Sequence, residues 1–180
     1  QKAMEGDKDC GGMIACNYYS GEPVTGLEEG RPMFLRRPDS HLGLANFMRS
    51  HLYASLATLK IGLDILLKEE DVKIDSITGH GGLFKTKGVG QSILAAAMNA
   101  PISVMETAGE GGAWGMALLA AYMLSKKDGQ SLGDYLDSRV FAERKSETME
   151  PDLADVAGFE TYTKQYQACL AAEKAAVQAF

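Results

Sequence analysis

Val72-Lys73-Ile74-Asp75-Ser76-Ile77-Thr78-Gly79-His80-Gly81-Gly82-Leu83-Phe84-Lys85-Thr86 changes character at its midpoint. The first half carries the β-branched residues of a strand over 72–78. Glycines end that strand, and an Ala-rich helical stretch follows over 88–99. A strand that ends in glycines and turns into a helix can bring bare backbone against a flat ligand, because no side chain stands in the way. A tight strand-to-helix turn without a ligand would use the same glycines. A bulky residue at Gly82 would fill the space, and it would also strain the turn if φ there is positive.

Upstream, the segment 44–68 has Leu52, Leu56, Leu59, Leu63 and Leu66 at spacings of three and four, with Lys60, Asp64 and Lys68 between them. That pattern predicts a long amphipathic helix with a wide buried face. Before it, Met13-Ile14-Ala15-Cys16 reads as a buried strand. The stretch 17–39, punctuated by glycines and prolines, reads as a long loop with a short strand at 32–35. Residues 1–12 are polar and glycine-bearing, and predict a loose start.

Downstream, 101–105 is another short strand. Gly111, Gly112, Gly115 and the neighbouring alanines give a helix over 113–125 a nearly bare face, suited to lying close against a sheet or another helix. Ser131 caps a short helix to Leu136. The segment 141–157 is polar and charged, and a last helix is predicted over 159–179. Strands alternate with helices, so the class is α/β.

The 180 residues, 46% of them hydrophobic, suffice for one domain with a sizeable core. No apolar run approaches the roughly 18 residues of a membrane span, so a soluble protein is expected. The net charge of −6 argues against nucleic acid as the main partner. Cys10, Cys16 and Cys169 match no zinc spacing and read as idle thiols in a reducing cytoplasm. His41, His51 and His80 stand apart from one another. Glu22 reads as a hydrogen-bonded loop residue. There is no P-loop, no nucleophile elbow and no carboxylate pair for glycoside chemistry.

In order, these segments resemble the carboxy-terminal domain of FGGY carbohydrate kinases of the xylulokinase and ribulokinase kind. Asn17-Tyr18-Tyr19-Ser20-Gly21-Glu22 is similar to an aromatic segment ending in Gly-Glu, and 44–67 to the helix after it. Residues 77–86 resemble the strand and glycine-rich adenine loop, 91–104 the next helix and strand, and 110–121 the closing Glu and small-residue helix. The stretch 151–170, with Tyr162 and Tyr166, resembles the terminal Pro and paired-Tyr tail.

The resemblance implies a ribonuclease H-like, actin-like ATPase domain with a mixed central sheet flanked by helices. It implies an ATP-dependent sugar kinase that phosphorylates a hydroxyl of a ketopentose such as xylulose or ribulose, with ATP/ADP and Mg2+ as companions and room for a homodimer. Gly81, Gly82 and Leu83 would lie against adenine, with Lys85 and Thr86 nearby. The whole of 1–180 would be the nucleotide-binding domain, incomplete at its amino-terminal end. The catalytic Asp and most of the sugar site would lie in another domain, so the isolated chain is expected to be inactive. The departures from the pattern are His80 in place of the first of three glycines, Ala57 where an acidic residue is common, and Trp114 where a small aliphatic residue is usual. A non-catalytic actin-like binding domain is the alternative.

Overall fold

The computed structural model describes residues 1–74, 77–106, 111–142 and 146–179. Its helices are α1 (Leu44–Lys68), α2 (Val89–Met98), α3 (Gly111–Ser125), α4 (Leu132–Tyr135, continued by a π turn) and α5 (Leu153–Ala179). Its strands are β1 (Met13–Cys16), β2 (Met33–Arg36), β3 (Ile77–Gly79), β4 (Ile102–Met105) and β5 (Ser146–Met149). They form two sheets. β1 and β2 pair antiparallel, while β4 pairs parallel with β3 and antiparallel with β5. The architecture is the mixed α/β expected, with its strands divided between an antiparallel pair and a mixed three-stranded sheet.

Element identities agree closely with the sequence, and the differences have physical causes. Residues 1–12 are not loose. They form two short 3-10 turns that bury Ala3, Cys10 and Gly12. Asn46 on α1 holds them, accepting from the Asp7 N–H at 2.6 Å and donating back to the Asp7 carboxylate at 2.9 Å. Of the strand expected at 72–78 only the end forms, as β3 at Ile77–Gly79; residues 72–74 are not in a strand, and positions 75 and 76 lie outside the described residues. β5 falls in the segment expected to be merely polar and charged. Gln91 secures it by donating from one buried amide nitrogen to the Ile102 and Glu147 carbonyls, 2.8 Å each, across β4 and β5. α5 starts six residues earlier than expected, because the Asp152 carboxylate caps it, accepting from the Ala154 and Asp155 N–H groups at 3.0 Å.

The core lies between α1, α5, β1 and α2. Tyr53, Phe159, Tyr162 and Tyr166 pack ring to ring and are almost wholly buried. The Tyr162 hydroxyl, 3.3 Å from the Ala15 carbonyl and 3.0 Å from the Ser50 carbonyl, ties α5 to β1 and α1. Arg49, fully buried on α1, is neutralised by Asp155 on α5 and donates to the Tyr53 hydroxyl at 2.7 Å. Ala57 is also fully buried, which accounts for a small residue there. The leucine stripe is buried only in part. Leu56 is inside, but Leu59 and Leu66 are about half exposed, since α5 and β1 cover the first half of α1. The bare helix face goes uncovered too: α3 has no buried residue.

Candidate functional site

The turn after β3 is built by glycines with different duties. Gly79 is buried because the Phe84 ring folds back over it, and a methyl there would overlap that ring. Gly90, at the start of α2, admits the Leu83 carbonyl in the same way. Gly81 has φ 108° and ψ −176°, a backbone region that essentially only glycine enters. Gly82 has neither constraint. Among the described residues a methyl there would meet no atom within 4 Å, and its φ is not positive. The positive φ considered for Gly82 therefore belongs to its neighbour.

The amino-terminal end of α3 comes to this turn. A methyl on Gly111 would stand 3.4 Å from His80 Cβ and 3.8 Å from the Gly81 nitrogen, whereas methyls on Gly112 and Gly115 would meet none of the described residues within 4 Å. Gly81 and Gly82 thus border a surface of exposed backbone that continues onto α3. The four residues preceding α3, Glu110 of the closing motif among them, lie outside the described residues.

The remaining expected site residues do not gather on that surface. Leu83 turns inward and lines an apolar hollow of about 390 Å³ with Leu56, Leu59, Leu63, Ile77 and Met98. Thr86 lies on another cleft, of about 490 Å³, with Lys87, Gly88, Gln91, Glu106 and Glu147. Phe84 borders both hollows and stands between them. Lys85 is exposed beside Thr86. Lys87 and Glu147 form an exposed ion pair at 3.2 Å over the Thr86 cleft.

Sequence reasoning missed the meeting of rings at the turn. His80 and Trp114 lie nearly parallel, 11° apart, and Phe141 meets Trp114 at 60°. Only the unusual presence of His80 and Trp114 marked those two positions; nothing marked Phe141. Glu22 is a local cap. Its carboxylate accepts from the Val24 N–H at 3.2 Å, and its backbone bridges to Leu27. With Asn17, Tyr18, Tyr19 and Thr58 it lines a shallow pocket of about 310 Å³. The three cysteines are free, and burial pushes the Cys16 thiol up to about 12, far from a reactive thiolate. Among the described residues no three Cys, His, Asp or Glu side chains assemble as a metal site. No helix among them is long and apolar enough to cross a membrane.

Residues 1–124 match the sequence profile of the FGGY family of carbohydrate kinases, C-terminal domain. A search of curated proteins finds no match. Among solved structures, the chain is similar to gluconate kinase from Lactobacillus acidophilus, with TM-score 0.70 and 19% identity over 95% of this chain. It is similar to ligand-bound xylulose kinase from the same organism, with TM-score 0.68 and 20% identity over 95%. It is also similar to Plasmodium falciparum glycerol kinase with ADP, with TM-score 0.61 and 19% identity over 92%. The chain spans 33%, 33% and 32% of those three proteins. The shared fold is the ribonuclease H-like one of actin-like ATPases.

Proposed function

Because the chain belongs to the FGGY family of carbohydrate kinases, matching its C-terminal domain, we propose that it supplies the adenine side of the ATP site in a larger kinase. That enzyme transfers the γ-phosphoryl group of ATP to a sugar hydroxyl. The observation that carries this reading is the bare turn. Gly81 holds a glycine-only conformation and a methyl on Gly82 would meet none of the described residues within 4 Å, with the start of α3 alongside. Such backbone admits a planar ring at contact distance and offers its N–H and C=O groups to the ring's edge.

Phosphoryl transfer asks a protein mainly for positioning and charge stabilisation. On this reading the chain positions the base end of ATP through Gly81 and Gly82, with Leu83 buttressing the turn from within and Lys85 and Thr86 flanking it. The base that takes the sugar proton, the bulk of the sugar site and the phosphate loop belong to the rest of the enzyme. Mg2+ would accompany the phosphates, and no residue of this chain is assigned to it. A ketopentose such as xylulose or ribulose is the proposed acceptor, on family likeness. Gluconate and glycerol kinases have the same fold, so the acceptor must be decided by assay. The buried thiols suit a cytoplasmic setting.

The test uses the full-length protein. ATP and sugar saturation curves are measured for wild type and Gly82→Val, with a thermal melt of each. The expected result is an apparent KM for ATP raised on the order of tenfold or more, as misplacing the nucleotide implies, with the KM for sugar little changed. An unchanged ATP curve in a folded variant would leave the glycines as a turn and nothing more. A coupled assay of the isolated chain with ATP, Mg2+ and a panel of pentoses should show no turnover above blank.

A further inference from the structure

His80, Trp114 and Phe141 come from three separate segments: the turn after β3, the first turns of α3, and the stretch after α4. They meet at the surface. His80 and Trp114 have ring centroids 6.4 Å apart and planes 11° apart. Phe141 sets its ring against Trp114 at 6.2 Å. None of the three rings belongs to the buried core. His80 is exposed, Phe141 is 36% exposed, and α3 buries none of its residues. Trp114 and Phe141 are partly covered where they meet and His80 is open to water, and two of the three rings lie nearly parallel.

A parallel pair of rings at a surface is the arrangement that receives a flat, π-rich ligand by stacking. The ligand space is next to it. His80 immediately precedes Gly81, and Gly111, one helical turn before Trp114, abuts His80. A base lying over the open backbone of Gly81 and Gly82 therefore has the His80–Trp114 pair at its side. On the strength of the nucleotide-site reading above, we propose that His80 and Trp114 form the base-stacking wall of that site, with Phe141 bracing Trp114. Trp114 then contacts the base directly and governs nucleotide affinity without touching the phosphates or the sugar.

The experiment is ADP binding by calorimetry on the full-length protein and its Trp114→Leu, Trp114→Phe and His80→Gly variants, with thermal melts and sugar saturation curves for each. Trp114→Leu should weaken ADP on the order of tenfold, the loss of one base–aromatic stack. Trp114→Phe should recover most of that affinity, because it restores a ring face. His80→Gly should weaken ADP by a smaller factor. The KM for sugar should stay within about twofold throughout, since stacking acts on the base alone. Inorganic tripolyphosphate serves as the control probe, and its affinity should be the same in all four proteins. ADP affinity unchanged in Trp114→Leu, or equally weakened in Phe and Leu variants, overturns the stacking wall and leaves the adenine-site reading standing. A folded wild type that binds no ADP overturns both.

Discussion

Single glycines in one turn differ in what they permit. Gly79 and Gly90 leave room for Phe84 and for the Leu83 carbonyl, so Gly79→Ala and Gly90→Ala should each destabilise the fold by about 1–3 kcal/mol, the usual cost of overpacking. Gly82→Val should shift stability by about 0.5 kcal/mol or less, because a Cβ there would meet none of the described residues within 4 Å. Urea unfolding of the three variants separates the classes. Equal losses at Gly79 and Gly82 would mean that the turn packs differently. The sequence displays these glycines as a cluster. It does not show which are spacers, because that depends on an aromatic ring five residues on folding back over the strand end.

Elements were legible where one face is buried by neighbours and obscure where tertiary contacts make the segment. β1 and α1 have the bounds their patterns dictate, Met13–Cys16 and Leu44–Lys68. β5 has no such pattern: Ser146, Glu147 and Thr148 are exposed, and the strand exists because β4 and Gln91 hold it. Gln91→Leu leaves the Ile102 and Glu147 carbonyls without that donor. It should cost about 1–3 kcal/mol for each carbonyl left buried without a partner, and amide hydrogen exchange should quicken along β5 before it does elsewhere. Retained protection of β5 in this variant would show that the β4 ladder alone suffices. The candidate site was legible for the same reason in halves. The glycine turn is local sequence, whereas the His80–Trp114 pair joins residues that only the folded chain brings together.

The buried tyrosines set the alkaline limit of the domain. Burial raises the ionisation of Tyr18, Tyr53 and Tyr162, and pushes Tyr53 to about 12. Their folded pKa values lie above the unfolded value of about 10. The stability they contribute is therefore complete below that value and lost as pH rises through the folded one. Phenolate absorbance should show these tyrosines ionising together with loss of the far-ultraviolet helix signal above pH ~10, rather than before it. The same core has a consequence for the order of events at the ribosome. Tyr162 on α5 bonds to Ala15 and Ser50, 147 and 112 positions earlier in the chain, and Asp155 neutralises Arg49 from 106 positions away. At a synthesis rate of about 5–20 residues per second, β1 and α1 wait roughly 5–30 seconds with a buried-type cation and an open apolar face. Folding of this domain is thus a late and nearly simultaneous closure. A nascent chain stalled before α5 emerges should be a client for chaperones rather than a partly finished domain.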